Sequence, residues 1–245
     1  MQAAKRGDVL LALDAAPGVG SVAIVRGSDI LVSSAVAMRP ATAGADRGAA
    51  ARDDDDPLMV AVAATLREAS IRPADLSGIA CGAGPGGFTS LRIAAALAKG
   101  IAHAVSRPLL VAPSLGWAAA VRASEAGVWL VTLDALRGER YVARVNLAAR
   151  ARTRPDSRAV LSYHYLGVHA AERVDQLVGA EHAIGRIDVD GDVTAAPIAC
   201  GSVALPPTPV DLASWEPVYG RLAEAQARWE AEHGPLVVPP GEVAA

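Results

Sequence analysis

The chain has 245 residues, 52% of them hydrophobic and 4% aromatic, and a formal net charge of −3. So apolar a sequence folds instead of staying disordered, and its length suits one large domain or two small lobes. Lys5 and Lys99 are the only lysines and no basic stripe carries interleaved aromatics, so tight direct nucleic-acid binding is not expected.

Val9 to Leu13 reads as a buried strand, Asp14 to Gly20 as a turn, Ser21 to Val25 and Ile30 to Ala37 as two further strands. Residues 39–56 read as a loop. Pro57 then suits a first helical position with Asp56 as N-cap, opening a helix to about Ser70. Leu76 to Cys81 is a predicted strand, followed by a glycine-rich loop. A helix from Thr89 to Ser106, a strand from Leu109 to Ala112 and a helix from Ser114 to Ala123 complete an α/β alternation. Beyond it the expectations are a strand over Val160 to Leu166, a helix near Ala170 to Leu177 and short strands up to Cys200. Pro206, Pro207 and Pro209 should break regular structure before a terminal helix over Tyr219 to Glu232.

Residues 130–145 echo residues 10–25 at an offset of 120. Leu13-Asp14-Ala15 matches Leu133-Asp134-Ala135, Gly18 matches Gly138, Val22-Ala23 matches Val142-Ala143, and Val25 matches Val145. In both copies a strand ends in an aspartate, a short turn follows and the chain returns antiparallel. Two lobes that each begin this way describe a duplicated two-lobed, actin-like α/β architecture of the ribonuclease H-like class (ASKHA). The expected lobes are 1–112, joined by the C-terminal helix 219–233, and a smaller one over 113–218.

The loop Gly82-Ala83-Gly84-Pro85-Gly86-Gly87-Phe88-Thr89 lies between a predicted strand and helix. Thr89 suits an N-cap, and free N–H groups at that helix end accept an anion. The spacing imitates a phosphate loop, but Phe88 stands where the lysine belongs, which excludes an active NTPase of that class. Gly84, Gly86, Gly87 and Thr89 are the candidate anion or nucleotide residues. Equally, the glycines serve a tight turn and Phe88 plugs the core, and the two readings stand level.

Gly84-Pro85-Gly86-Gly87-Phe88-Thr89-Ser90-Leu91-Arg92-Ile93, continuing to Ala98-Lys99-Gly100, resembles the signature of the TsaB (YeaZ) family. The opening Leu11 to Ile24, the segment from Leu133 to Glu139 and Pro217-Val218-Tyr219 follow in the family's order. Ala15-Ala16 departs from the usual polar pair, and Gly87 and Ser90 replace serine and glycine. The resemblance implies a non-catalytic accessory subunit of the machinery that makes N6-threonylcarbamoyladenosine at tRNA position 37. It implies a TsaD-like catalytic partner, a TsaE-like ATPase helper, self-association as a further state, and tRNA met only through the complex. No cofactor of its own is implied, except ATP or ADP at or near the partner interface.

The helices agree with such a role. Leu58, Val62 and Leu66 form one stripe, and Met59, Val60, Ala63 and Ala64 widen the apolar arc. Leu91, Ile93, Ala94, Leu97, Ala98, Ile101 and Ala102 likewise cover more than one face of the second helix. The chain's own second lobe or a partner must cover the excess, and the resemblance favours a partner. The expected interface is Leu58, Met59, Val60, Val62, Ala63, Leu66, Leu91, Ile93, Ala94, Leu97 and Ile101.

Other chemistry is sparse. His103, His164, His169, His182 and His233 have no metal-ligand spacing, which argues against a zinc peptidase. Asp53 to Asp56 read as a solvated loop, and Ser21 and Ser114 lack triad partners. Asp14 and Asp134 would serve the competing reading, a small actin-like kinase or ATPase, but cap turns equally well. Cys81 and Cys200 are expected as reduced, buried thiols. Val9 to Leu13 is too short for a signal-peptide core and no stretch is long enough to span a bilayer, so a cytoplasmic protein is expected.

Overall fold

The computed structural model describes residues 7–38, 56–150, 157–190 and 205–220, with Trp229, Glu232 and His233. Asp53 to Asp55, Cys200 and most of the expected terminal helix lie outside the described residues.

The first three strands, β1 (Val9–Asp14), β2 (Val19–Arg26) and β3 (Asp29–Ala37), form an antiparallel meander. Helix α1 (Pro57–Glu68) leads to β4 (Gly78–Gly82), and α2 (Phe88–Ala104) to β5 (Leu109–Ala112). Both strands run parallel to β1 in the order β5-β4-β1-β2-β3. After α3 (Ser114–Arg122), β6 (Gly127–Asp134), β7 (Glu139–Leu147) and β8 (Val160–Ala170) repeat the meander. A 3₁₀ turn at Ala171–Arg173 and α4 (Val174–Ala180) precede β9 (Gly185–Asp188), which pairs parallel with β6. The second sheet is therefore β9-β6-β7-β8, the same plan as β4-β1-β2-β3. The duplicated, two-lobed actin-like α/β fold is realised as two sheets of one topology.

Four apolar clusters stack these layers. Leu11, Leu13, Val22 and Ile24 face Leu58 and Val62 of α1 and Ala94 and Ala98 of α2. The opposite face, Leu10, Ala12 and Ala80, meets Trp117 and Ala120 of α3. Leu115, Ala118 and Ala119 on the other side of α3 meet Val131, Leu133, Tyr141 and Ala143. Leu130 and Val142 then meet Val174. Helix α3 lies between the sheets, so Ser114 to Ala120 are buried without a break. Small side chains suit it, because a helix touched on both sides needs close approach.

The echo at an offset of 120 holds for topology but not for the facing of the first strand. Leu13 packs toward α1 and α2, whereas Leu133 packs toward α3. The second hairpin is also one residue shorter, since Asp14 pairs with Ser21 but Asp134 with Arg140. Because strand side chains alternate, that one residue reverses the facing again for everything after it, so Val22 and Val142 both point away from α3, the first toward α1 and the second toward α4.

Other differences are local. Helices α1 and α2 stop at Glu68 and Ala104, because Ser70 and Ser106 take left-handed φ of 55° and 52°. Alanines 170 and 171 precede α4 instead of opening it. Tyr219 is not helical, and Gly220 beside it has φ of 72°. A short strand β10 (Thr208–Pro209) pairs with β5 on the first sheet, where Pro209 is tolerated at an edge. Val210, Leu212 and Trp215 pack on the first lobe's outer core, although 113–218 was expected in the second lobe. No helix among the described residues is long and apolar enough to cross a membrane.

Candidate functional site: a packed glycine loop and an exposed helix face

The glycine loop leaves β4 and enters α2, and its inner part is closed by the chain itself. A Cβ on Gly86 would lie 2.4 Å from the Ala16 oxygen, and one on Gly84 2.5 Å from the Val218 oxygen. The Gly87 N–H donates to the Ala16 oxygen at 3.2 Å, and the Val218 N–H to the Ala83 oxygen at 2.8 Å. Tyr141 of the second lobe donates its hydroxyl to the Gly86 oxygen at 3.3 Å. Gly84 and Gly86 are thus buried by close backbone approach, while Gly87 and Thr89 are exposed.

Thr89 does not cap α2. Gly87 holds that position without a side-chain hydrogen bond, and Ser90 Oγ donates back to the Gly87 oxygen at 3.0 Å. Nor is Phe88 a core plug. Its half-buried ring sits 4.7 Å from that of Tyr219, with the Arg92 guanidinium 5.3 Å above it.

Asp14 ends β1 and is 2% exposed. Its Oδ1 accepts the Ala16 N–H at 2.9 Å. Burial raises its pKa from the ordinary carboxylate value to about 6, and the Ala16 N–H, with Ser114 and the Ala15 main chain nearby, holds it from rising further. A Cβ on Gly82 would lie 2.2 Å from the Asp14 Cγ, so glycine there makes room for the carboxylate.

Asp134 shares the turn cap but not the surroundings. It is exposed, its Oδ1 accepts the Leu136 N–H at 2.9 Å, and its own N–H donates to Asp190 at 2.6 Å. Leu133 faces α3, so alternation turns Asp134 to the opposite face of the second sheet. The two aspartates therefore do not line one cleft, as a kinase using both would need. Beside Asp134, Arg140 bridges Asp188 at 3.2 Å and Asp190 at 2.5 Å and donates to Thr132 at 2.7 Å. Among the described residues no group of three or more His, Cys, Asp or Glu is placed to hold a metal ion.

The outer layer carries the helix face. Asp56 caps α1 as the sequence predicts, its Oδ1 accepting from Leu58 N at 2.8 Å and Met59 N at 3.3 Å. That cap sets the helix rotation, which buries Leu58, Val62 and Leu66 and leaves Met59 and Val60 48% and 50% exposed. Ala63 and Ala64 are exposed beside them. On α2, Leu91 and Ala94 are buried, Ile93, Leu97 and Ile101 are half-buried, and Arg92, Ala96, Gly100 and His103 are exposed. Five residues of the expected interface, Leu58, Val62, Leu66, Leu91 and Ala94, thus belong to this chain's own core. Ala64 continues the exposed α1 face that Met59, Val60 and Ala63 begin, and Ala96 and Gly100 are exposed on α2. The contacts from Tyr141 and Val218 to the glycine loop had no local sequence signal, because each joins residues far apart in the chain.

Comparison with known proteins now bears on this site. A family model described as TsaD: tRNA N6-adenosine threonylcarbamoyltransferase matches residues 40–163, about half of the chain. An uncharacterized protein of Mycobacterium tuberculosis (strain H37Rv) is 35% identical over 135 residues, which cover 55% of this chain and 58% of that protein. The chain thus matches less than two thirds of the length of such curated relatives. The tRNA threonylcarbamoyladenosine biosynthesis protein TsaB of Bacillus subtilis (strain 168) is 28% identical over 186 residues, covering 70% of this chain and 81% of its own. Among solved structures, YeaZ from Pseudomonas aeruginosa superposes with a TM-score of 0.53 at 24% identity, covering 80% of this chain and 90% of its own. A Pseudomonas aeruginosa protein described as uncharacterized, with similarity to peptidase YEAZ, gives 0.58 at 23% identity, covering 87% and 100%. These two structures bear on the fold alone.

Proposed function

The chain belongs to the threonylcarbamoyltransferase family that the TsaD model describes, with TsaB (YeaZ) proteins as its kin, and on that premise we propose that it is a non-catalytic scaffold subunit. In this reading it pairs with a TsaD-like catalytic subunit in the cytoplasm to support threonylcarbamoyl transfer to tRNA adenosine 37. A TsaE-like ATPase joins the assembly, tRNA is met through the complex, and a homodimer is a further state.

The observation that carries the reading is the exposed apolar face of Met59, Val60, Ala63 and Ala64 on α1, with Ala96 and Gly100 exposed on α2. An apolar helix face left uncovered by the described residues suits burial against a partner. Gly100 adds to this. A glycine inside a helix costs about 1 kcal/mol relative to alanine, and among the described residues nothing within 4 Å of its missing Cβ accounts for it. ATP or ADP, if part of the assembly, belongs at or near the partner interface, because the Ala16 turn already fills the inner loop.

Co-expression with the TsaD-like subunit of the same genome, sizing of the complex and a threonylcarbamoyl-transfer assay test this. The expected outcome is a stable complex that is active only with both chains. Val60→Asp combined with Ala64→Arg should weaken pairing by at least about 30-fold with unchanged circular dichroism. Unchanged affinity would remove the face from the interface, and ATP turnover by the isolated chain would favour the kinase reading.

A further inference from the structure

A strand at the rim of a sheet presents a row of unpaired N–H and C=O groups, and proteins blunt such rims with charges, prolines, bulges or short strands. Among the described residues the two sheets have four rims, and three of them are blunted. On the first sheet, β10 ends the row with two residues, one of them Pro209. On the second, β9 has four residues, including Arg186 and Asp188. Strand β8 is interrupted by two register shifts against β7 and by Gly167 with φ of 102°.

The fourth rim is β3. Its nine residues carry one charge, Asp29 at the start, and no proline or glycine. Its pairing with β2 slips once, between Ile24 and Val25, and then runs without interruption from Val32 to Ala37. Among the described residues no main-chain hydrogen bond reaches β3 apart from those of β2. The two faces of the strand differ. Val36 packs on the core under α1, and Ser34 Oγ shares a hydrogen bond of 2.9 Å with Thr65 Oγ1 of that helix. Ser33, Ala35 and Ala37 are exposed on the opposite face.

We propose that β3 is a self-docking edge, on which a second copy of this chain pairs its own β3 antiparallel over Val32 to Ala37, so that the two first sheets run on as one. Charge and symmetry name this occupant. An antiparallel pair of identical strands is closed by a two-fold axis, so each copy satisfies the other's main-chain groups and no unpaired β3 is left. No like charges meet across that axis, because Val32 to Ala37 carry none. The small side chains of Ser33 and Ala35 leave the approach of a second backbone open. Six paired residues make a seam at the small end of interface size, so the pairing is weak and depends on concentration.

The isolated full chain is the material of the test, so its outcome is separate from pairing with a TsaD-like subunit. Sedimentation from about 1 µM to about 1 mM should show monomer giving way to dimer. Over the same range, hydrogen exchange of alternate amides between Val32 and Ala37 should slow by about tenfold, because every second N–H of a rim strand points outward. Ser33→Lys combined with Ala35→Lys puts charges on the exposed face that meet their copies across the two-fold axis. It should raise the dimer dissociation constant by at least about tenfold with unchanged circular dichroism. A monomer at every concentration, or a dimer that the lysines leave intact, would overturn the self-docking edge. So would β3 amides protected equally at all concentrations, as a segment of the same chain lying on the rim would make them. Should the lysine variant fail to fold, the unaltered chain decides: protection that rises with the dimer fraction sustains the proposal, and protection that does not rejects it.

Discussion

A carboxylate withdrawn from water needs donors, and at Asp14 burial outweighs those it finds, so its pKa rises to about 6. The sign for global stability follows from linkage. The folded chain binds this proton more tightly than the unfolded one, so the contribution is full below the ordinary carboxylate pKa and is lost as pH rises through about 6. Asp14→Asn should therefore gain on the unaltered chain between pH 4 and pH 7, by up to about 3 kcal/mol in urea unfolding. Gly82 is coupled to the same carboxylate. Gly82→Ala should cost about 1–3 kcal/mol by overpacking, and much of that cost should vanish in an Asp14→Ala background. Additive penalties would show that the Cβ is accommodated without touching Asp14. At this scale the sequence was partly legible. It marked Asp14 and the glycine run, but whether the aspartate faced solvent, a cleft or α3 depended on strand pairing.

Elements end where local chemistry stops them, and some of those stops carry weak signals. Asp56-Pro57 announces the start of α1, because a capping carboxylate followed by proline has one efficient arrangement. The ends of α1 and α2 were less legible, since serine instead of glycine takes the left-handed position at Ser70 and Ser106. Helix α3 ends by a device from outside itself. Arg158 is 7% exposed and donates to the main-chain oxygens of Ala123 at 3.1 Å and Ala148 at 3.4 Å, and to that of Ser124. Burial pulls its pKa below the ordinary arginine value, with Arg150 adding to that and Glu125 opposing it. Arg158→Met keeps the apolar stem but removes its donors from those carbonyls, leaving Ala123 only the Arg150 contact at 3.5 Å, so it should destabilise the fold by about 2–4 kcal/mol in thermal or urea unfolding. A loss within about 0.5 kcal/mol would mean that water replaces the guanidinium there.

Two sheets of one topology share α3, and the exposed remainder of α1 and α2 lies on the far side of the first sheet from it. That separation bears on the Val60→Asp and Ala64→Arg variant, whose charges sit in solvent on the free chain and should leave its unfolding midpoint unchanged. Sequence by itself determined the strand and helix alternation, the duplicated hairpins, the Asp56 cap and the motif from Gly84 to Gly100, because these rest on neighbours within a few residues. Only the tertiary structure decided which apolar residues remain outside and that the inner glycines are closed by Ala16, Val218 and Tyr141. It also decided that Asp14 and Asp134 face different environments. Helical periodicity shows that a face is apolar but not what lies against it. Leu13 and Leu133 face opposite ways within the same local pattern, and the one-residue-shorter second hairpin returns Val142 to the side of Val22; such facing is fixed by cross-strand pairing and packing over distances no local pattern records.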